Sequence, residues 1–239
     1  MYTDQCTPMI LAGGLGTRLR PVISNYPKVL VEVNGRPFLS FLFDQLLEAG
    51  FKKVILCTGY MAGQVQQTFG EHYYDLKLVH SPEFVPLGTG GALRNAFPLL
   101  KKCPDHVLVM NGDSYIQVKV GKFIDWHFEQ KADASMVLSR VENTARYGSV
   151  EMDNNSRILD FREKNSGASA GWVNAGVYIF EKTQVERLSP ATPISLENDF
   201  LPTLLGGEVL GFKCDGAFID IGTPSSYSKM GAFFVNLKE

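Results

Sequence analysis

Residues 11–21 read LAGGLGTRLRP, and the rest of the predicted fold can be built outward from them. This stretch follows the apolar run Met9–Leu11, which predicts the first strand of a parallel sheet. Its three glycines, within four positions, allow backbone N–H groups to approach an anion closely. Two cationic side chains, Arg18 and Lys28, are available to neutralise the oxygen atoms of that anion. The stretch therefore predicts a phosphate-binding loop.

The spacing within this loop argues against two common phosphate-binding motifs. A Walker A loop ends in Gly-Lys-Ser/Thr, whereas Gly16 is followed here by Thr17 and Arg18. A dinucleotide-binding fingerprint needs a third glycine, and Leu19 stands in its place. The glycines by themselves leave the class of phosphate-binding protein open.

Length and composition favour one globular unit. A chain of 239 residues lies in the range where an α/β fold remains compact, so we expect one domain with two lobes. Hydrophobic residues make up 45% and charged residues 20%, which is enough apolar material for a large core. The net charge of −2 and the scattered basic residues argue against a nucleic-acid partner.

The cysteines show no metal-binding or redox spacing, because Cys6, Cys57, Cys103 and Cys214 lie far apart. No apolar run is long enough to span a bilayer, and residues 1–6 lack the features of a signal peptide. We therefore expect no membrane association and a cytoplasmic protein. The absence of a long C-terminal β-helix favours a monomer or a simple homodimer.

Apolar strands alternate with amphipathic stretches in the first half of the chain, as in βαβ units. We predict strands at 9–11, 54–59, 76–80 and 107–110, and helices at 38–49, 61–69 and from the turn at 86–93 to residue 100. In the second half we predict helices at 120–131, near 200–205 and at 224–238, the last opening at Ser225, and strands at 134–140, 149–152, 158–162, 172–180, 209–213 and 218–221. This pattern indicates a mixed sheet in the second half.

Asp113 lies just beyond the predicted strand 107–110, in the sequence Asn-Gly-Asp. Open α/β sheets bind ligands at the carboxyl ends of their parallel strands. Its position therefore favours a functional carboxylate over an ordinary surface aspartate.

The loop and the motifs that follow it resemble the sugar-1-phosphate nucleotidyltransferase family. The matching motifs are LAGGLGTRLRP with Pro27-Lys28, GTGGAL (88–93), NGD (111–113), RYG (146–148), REK (162–164), NAGVY (174–178), SLE (195–197) and FIDIGTP (218–224). The short chain and the order of the later motifs look most like the guanylyltransferases that act on heptose 1-phosphates. Mannose-1-phosphate guanylyltransferases share several of the motifs.

The resemblance implies an α/β, Rossmann-like (GT-A-like) fold with a central mixed, mostly parallel sheet flanked by helices. It also implies one nucleotidyltransferase domain over residues 1–239. Within it, we expect residues 1–113 to form the nucleotide-binding half, residues 114–223 the sugar-phosphate-binding half, and residues 224–239 a C-terminal helix.

The chemistry that the family performs agrees with the residue types present. An ionised oxygen of the sugar 1-phosphate attacks the α-phosphorus of a nucleoside triphosphate, and pyrophosphate leaves. No general base is required, because a phosphate monoester has a second pKa near 6 and is largely ionised at pH 7. The obstacle is repulsion between two polyanions, which cations, backbone N–H groups and metal-binding carboxylates reduce.

The resemblance assigns the nucleotide to residues of the first half. The loop residues Leu11, Ala12, Gly13 and Gly14 would contact the nucleoside, and Gly16, Thr17 and Arg18 would hold the triphosphate. Arg18 would bind the leaving pyrophosphate and Lys28 would bridge the reacting phosphates. Further nucleotide contacts are expected from Gly88, Thr89 and Gly112.

The resemblance assigns the metal and the sugar to residues that are distant in sequence. Asp113 and Asp220 would bind Mg²⁺, an ion that needs only one or two protein carboxylates when phosphates and water complete its coordination. The sugar phosphate and sugar hydroxyls would be bound by Gly148, Glu163, Lys164, Asn174, Gly176 and Glu197. We therefore expect Mg²⁺ as the cofactor and two small molecules, a nucleoside triphosphate and a sugar 1-phosphate, as partners.

Three alternatives remain open. The enzyme could be a mannose-1-phosphate guanylyltransferase, or it could use UTP, dTTP or CTP, since related families share the same loop. A non-catalytic nucleotide-sugar sensor would keep the fold but is disfavoured, because Arg18, Lys28, Asp113 and Asp220 are all present. A dinucleotide-dependent oxidoreductase would need an acidic residue after the second strand, where this chain has Thr58-Gly59.

The assignment of Arg18 to the leaving group gives a testable prediction. Arg18→Ala should lower kcat at least as much as it weakens nucleotide binding, because charge on the pyrophosphate grows in the transition state. Steady-state kinetics with varied triphosphate measures both quantities. An effect confined to KM would instead identify Arg18 as a ground-state contact.

Overall fold

Parallel strands organise the fold, as the sequence predicts. The computed structural model describes residues 2–14, 16, 19, 26–162, 169–189 and 193–237. Its strands are β1 (Cys6–Ala12), β2 (Glu32–Val33), β3 (Arg36–Pro37), β4 (Lys53–Thr58), β5 (His72–Tyr73), β6 (Leu76–Pro82), β7 (His106–Asn111), β8 (Ser114–Ile116), β9 (Ala134–Val141), β10 (Ser149–Met152), β11 (Ile158–Arg162), β12 (Gly171–Glu181), β13 (Val209–Cys214) and β14 (Phe218–Asp220).

The helices alternate with these strands. They are α1 (Leu39–Glu48), α2 (Ala62–Phe69), α3 (Gly88–Ala96), α4 (Val120–Gln130), α5 (Lys182–Glu186), α6 (Leu201–Leu204) and α7 (Pro224–Asn236). Short 3-10 turns occupy Thr3–Gln5, Lys28–Leu30 and Phe97–Leu100, and a π-helical turn occupies Leu196–Phe200.

Eight strands form one sheet in the order β13-β9-β12-β7-β1-β4-β6-β5. Strand β1 lies between β7 and β4 and is parallel to both, and the β4–β6 and β9–β13 pairs are also parallel. Strand β12 is antiparallel to β7 and β9, and β5 is antiparallel to β6. The prediction of a mixed, mostly parallel sheet flanked by helices is confirmed.

Helices cover both faces of this sheet, which explains the continuous apolar runs of its central strands. Along β7, Leu108 and Met110 face the core that contains α1, α4 and α7, while Val107 and Val109 face the core that contains α3 and α5. This alternation follows from the two-residue period of a strand. The sheet is therefore buried on both sides, and its strand ends are left to carry the polar groups.

Most predicted elements occur within one or two residues of their expected bounds, and the exceptions have local causes. The helix expected to continue to residue 100 ends at Ala96 and changes to a 3-10 turn, in which Pro98 cannot supply a backbone N–H. The terminal helix begins at Pro224, as the predicted range 224–238 has it, but it opens with Thr223 as its cap and not at Ser225, because the Thr223 side chain accepts from the Ser226 N–H at 3.3 Å.

The sequence patterns missed the shortest strands, above all β8. This strand pairs with β14 in antiparallel orientation, with Asp220 opposite Ser114. Strand β7 from the predicted first half also pairs with β12 from the second, so the sheet is continuous across residue 113. The division into a nucleotide half, a sugar half and a terminal helix stays a prediction.

A membrane-spanning helix is not found in the described ranges, where every helix is too short or too polar to cross a bilayer.

Candidate active site

The predicted site residues that the structure describes gather at the carboxyl edge of β1 and β7. The Gly112 N–H donates to the Leu11 carbonyl at 2.9 Å, so the segment after β7 lies against the end of β1. An added Cβ at Gly112 would lie 2.6 Å from that same oxygen, which is why this position requires glycine. The next residue, Asp113, is thereby placed beside the glycine loop.

Asp220 is brought to the same edge of the sheet by the pairing of β14 with β8. Its neighbour Ile221 donates a backbone N–H to the Asp113 carbonyl at 2.9 Å, and Asp220 itself pairs with Ser114. The two carboxylates, distant in sequence, therefore occupy adjacent chain segments, as the sequence analysis expected.

Asp113 forms an ion pair with Lys28, whose Nζ lies 2.7 Å from Asp113 Oδ2. Lys28 begins a 3-10 turn whose next two residues, Val29 and Leu30, are buried and fix its position. The Lys28 side chain is 10% exposed and that of Asp113 is 43% exposed. Burial alone would raise the pKa of Asp113, but the charge and hydrogen bond of Lys28, together with the hydrogen bond from Ser114, outweigh burial and hold this pKa below its ordinary value. Asp113 is therefore an anion at neutral pH.

Asp220 also has a cationic partner. Arg146 Nη2 donates to Asp220 Oδ1 at 2.5 Å, and the Gly222 N–H donates to the same oxygen at 2.7 Å. The same Arg146 nitrogen lies 3.0 Å from Ser226 Oγ, at the start of α7. Arg146 belongs to the RYG motif, but no role was predicted for it.

The donor set at this edge fits Mg²⁺. The described residues contain no group of three or more His, Cys, Asp or Glu side chains that could hold a metal ion. Two carboxylates on adjacent segments are instead sufficient for an ion whose coordination is completed by phosphate oxygens and water.

The glycine loop is described in part. Gly13, Gly14 and Gly16 follow β1 directly, and Gly16 has a φ of +58°, a left-handed conformation that favours glycine. The Gly13 carbonyl accepts the Tyr60 N–H at 3.3 Å, which ties the loop to the end of β4. Leu11 is half-buried and Ala12 is buried at the end of β1. Thr17 and Arg18 lie outside the described residues, so their predicted roles stay predictions.

The second glycine turn packs against a segment that is distant in the chain. Gly88 has a φ of +75°, and an added Cβ there would lie 2.4 Å from the Ile194 carbonyl oxygen. That oxygen accepts the Gly90 N–H at 2.8 Å. Thr89 Oγ1 donates to Glu197 Oε2 at 3.0 Å, which joins a predicted nucleotide-binding residue to a predicted sugar-binding residue.

Glu197 is the centre of a polar cluster. Ser195 Oγ donates to its Oε2 at 3.3 Å, while Asn111 Nδ2 and Tyr178 OH approach its Oε1 at 3.4 and 3.5 Å. Burial, and then the charge of Glu197, raise the pKa of Tyr178 well above its ordinary value, so the phenol remains a donor. Asn174 Nδ2 donates to Tyr178 OH at 2.8 Å.

Gly176 interrupts β12 beside this cluster. It has a φ of +77°, its N–H donates to Asn174 Oδ1 at 2.9 Å, and its Cα face lies against the Asn111 side chain. Asn111 Oδ1 is buried and has no partner among the described residues. The sequence analysis used Asn111 only as part of a motif, although its place at the end of β7 is the signal that could have found it.

Of the remaining residues predicted to bind the sugar phosphate, Gly148 is described by the structure and two others are not. Gly148 has a φ of +79° and donates its N–H to the Thr144 carbonyl at 3.0 Å, in the turn that also carries Arg146. Glu163 and Lys164 lie outside the described residues.

Glu83, which the sequence analysis missed, lines a cavity of about 200 Å³ beside the glycine loop. The cavity is lined by Gly13, Gly59, Tyr60, Glu83, Phe84, Val85 and Pro86. The Glu83 carboxylate lies over two glycines, since an added Cβ would be 3.0 Å from Oε1 at Gly13 and 2.5 Å at Gly59. Burial raises the pKa of Glu83, and its Oε2 has no partner in the described part of the chain.

A larger hollow of about 520 Å³ lies at the opposite edge of the sheet. Its lining includes Cys6 and Lys53, which begin β1 and β4, and Cys103, but none of the predicted site residues. We therefore place the active site at the carboxyl edge, where the charged groups converge.

Comparison with known proteins agrees with this geometry. The model of the family described as nucleotidyl transferase matches residues 7–236. D-glycero-alpha-D-manno-heptose 1-phosphate guanylyltransferase from Aneurinibacillus thermoaerophilus is 39% identical over 222 residues, which cover 92% of this chain and 95% of that protein. Mannose-1-phosphate guanylyltransferase from Mycobacterium tuberculosis is 32% identical, over 98% of this chain and 66% of that protein.

Among solved structures, HddC from Yersinia pseudotuberculosis superposes with a TM-score of 0.85 and 34% identity, over 96% of this chain and 99% of HddC. HddC has also been solved complexed with GMP-PN. The chain therefore belongs to the nucleotidyl transferase family, as its motifs indicated.

Proposed function

We propose that this chain transfers GMP from GTP to a sugar 1-phosphate, most favourably D-glycero-α-D-manno-heptose 1-phosphate, and releases pyrophosphate. The observation that carries the proposal is the meeting of Lys28, Asp113 and Asp220 at the carboxyl edge of the sheet, beside the glycine loop. The choice of sugar and nucleotide is supported by the heptose guanylyltransferase at 39% identity and by HddC, whose complex contains GMP-PN.

The nucleophile in this reaction needs no base from the protein. A phosphate monoester is largely a dianion at pH 7, so its oxygen can attack the α-phosphorus directly. The free-energy barrier comes mainly from bringing two polyanions together, and fixed cations lower it. The ion pair of the nearly buried Lys28 with Asp113 supports a role for this ammonium as a fixed cation that acts on the reacting phosphates.

We propose Mg²⁺ as the cofactor, with Asp113 and Asp220 as its protein ligands. Bound there, the ion would neutralise charge on the phosphate oxygens as a Lewis acid. Both aspartates already have a cationic partner, so the free protein holds each carboxylate in a fixed orientation. This arrangement limits the repulsion between the two anions before any substrate binds.

The polar cluster around Glu197 supports the predicted sugar subsite. A carboxylate can accept from two sugar hydroxyls, and Glu197 now accepts from the hydroxyls of Thr89 and Ser195. Sugar hydroxyls would share or replace these donors. Asn174 and Gly176 lie in β12, beside the cluster, and Gly148 lies in the turn whose Arg146 contacts Asp220. Lys164 stays a predicted phosphate contact.

Glu83 supports GTP as the nucleotide. The Watson–Crick edge of guanine presents two neighbouring donors, N1–H and N2–H, which match the two oxygens of one carboxylate. Uracil and thymine present one donor between two carbonyl oxygens, which a carboxylate would repel. The exposed side chains of Phe84 and Val85 border the same cavity and offer apolar surface to a base.

Mannose-1-phosphate guanylyltransferase activity is the second candidate, since a relative of that name covers 98% of this chain at 32% identity. The predictions of a cytoplasmic location and of a monomer or simple homodimer remain as the sequence analysis made them.

The proposed reaction is tested by pyrophosphate release from GTP, UTP, dTTP and CTP, each with a panel of heptose, mannose and glucose 1-phosphates. We expect the highest kcat/KM for GTP with the heptose 1-phosphate. A mannose preference with GTP would select the second candidate. Faster reaction of UTP or dTTP with every sugar would contradict the guanylyltransferase assignment.

The metal ligands are tested by Asp113→Asn and Asp220→Asn. Each variant should lower kcat by about 100-fold or more and raise the Mg²⁺ concentration needed for half-maximal rate, because one charged ligand is lost. Mn²⁺ binding followed by electron paramagnetic resonance should weaken in parallel. Asp75→Asn, at an 84% exposed side chain, is the matched control. A near-normal rate and metal affinity would remove that aspartate from the site.

The base contact is tested by Glu83→Gln, which keeps the size of the side chain. We expect kcat/KM for GTP to fall by about 10- to 100-fold, the range for one lost charge-assisted hydrogen bond, while the rates with UTP and dTTP rise relative to GTP. Glu129→Gln, at an exposed position on α4, is the control. An unchanged ratio of GTP to UTP would show that other groups select the base.

A further inference from the structure

Arg146 is a fixed cation at the active site to which neither the motifs nor the comparisons give a role. It lies in the turn between β9 and β10, where the N–H groups of Tyr147 and Gly148 donate to the Thr144 carbonyl at 2.9 and 3.0 Å. The turn thus presents Arg146 two residues before Gly148, a predicted contact of the sugar phosphate.

Three contacts hold the Arg146 guanidinium in place. Its Nη2 donates to Asp220 Oδ1 at 2.5 Å and to Ser226 Oγ at 3.0 Å. The guanidinium carbon lies 5.1 Å from the centre of the Tyr147 ring, so one face of the group is covered. Ser226 itself is buried in the capping box of α7. The side chain is therefore oriented before any ligand binds.

These contacts use only some of the N–H donors of the Arg146 guanidinium. An arginine carries five N–H donors, and the two on Nη2 account for the bonds to Asp220 and Ser226. Nε and Nη1 have no hydrogen-bond partner among the residues that the structure describes, and the side chain is 35% exposed. Three donors, one on Nε and two on Nη1, thus remain beside Asp220, and each can donate a charge-assisted hydrogen bond to a phosphate oxygen.

We infer that Arg146 binds the phosphate of the sugar 1-phosphate through these remaining N–H groups, while Asp220 and Ser226 position it. The inference rests on the proposed function. The sugar phosphate is favoured over the triphosphate because Arg146 lies in the same turn as Gly148, a predicted contact of the sugar phosphate, and contacts Asp220 from the predicted sugar-phosphate-binding half. The triphosphate has its own predicted cations in Arg18 and Lys28.

Charge balance supports the same reading. Lys28 and Arg146 each neutralise one carboxylate, Asp113 and Asp220 respectively. A sugar phosphate that arrives as a dianion therefore meets no net negative charge from these four groups. A guanidinium already held by two protein contacts loses little further conformational entropy on binding an anion, which favours affinity.

The test compares Arg146→Met and Arg146→Lys with the wild-type chain in steady-state kinetics. Arg146→Met should raise the KM for the sugar 1-phosphate by about 10- to 100-fold, through loss of charge-assisted hydrogen bonds, and change the KM for GTP less than about threefold. Arg146→Lys keeps the charge but not the fixed planar donors of the guanidinium, so its sugar KM should lie between those of the wild-type chain and Arg146→Met. Ser226→Ala, which removes one anchor, should raise the same KM by a smaller factor.

The controls separate this role from a purely structural one. Arg187→Met, at an exposed position just after α5, should leave both KM values unchanged. An unchanged sugar KM in Arg146→Met, or an equal rise in both KM values, would overturn the inference, and so would a rise confined to GTP. If neither Arg146 variant folds, judged by circular dichroism and thermal unfolding, Arg146 is structural and the inference is wrong.

Failure of the proposed function gives a different result. In that case the wild-type chain releases no pyrophosphate from any pair of substrates. Calorimetric titration of wild type and Arg146→Met with mannose 1-phosphate then still measures the phosphate contact: weaker binding by the variant supports the inference, and equal binding or none contradicts it.

Discussion

Parallel pairing of β1 with both of its neighbours is the constraint on which the site depends. Leu11 lies opposite Cys57 of β4 and Asn111 of β7, so the three strands end at nearly the same level. The segments that follow must then pass close to one another, and glycines at 13, 59 and 112 make this approach possible. A single edge of the sheet thus collects the phosphate-binding loop, the cavity beside Glu83 and the first of the two aspartates.

Electrostatic pairing is the second requirement of this edge. Two carboxylates on adjacent segments repel each other unless each has a counter-charge, and a lysine that is 10% exposed is costly without an anion beside it. Lys28 and Arg146 satisfy both conditions and leave cations in a site whose proposed substrates are polyanions. The same groups therefore stabilise the free protein and prepare it for phosphate.

Local periodicity was enough to predict most of the fold. The apolar runs of β1, β4 and β7 and the amphipathic pattern of α1 are long, so their burial leaves a clear signal in the sequence. Strand β8 and the β2–β3 pair have two or three residues each, too few for a period to appear. The opening residue of α7 was predicted as Ser225, whereas Thr223 and Pro224 act as cap and first residue, a local effect finer than periodicity resolves.

Sequence patterns alone predicted the fold class and the family, because the glycine loop and the strand-end aspartate are local patterns. The contacts of Thr89 with Glu197 and of Arg146 with Asp220 became visible only in the tertiary structure, whereas the family resemblance had already implied that Asp113 and Asp220 share one metal ion. The tertiary structure also placed Glu83 over the glycines of two different loops. These contacts join segments that are far apart in the chain, and their geometry depends on sheet order and register, which no local pattern encodes.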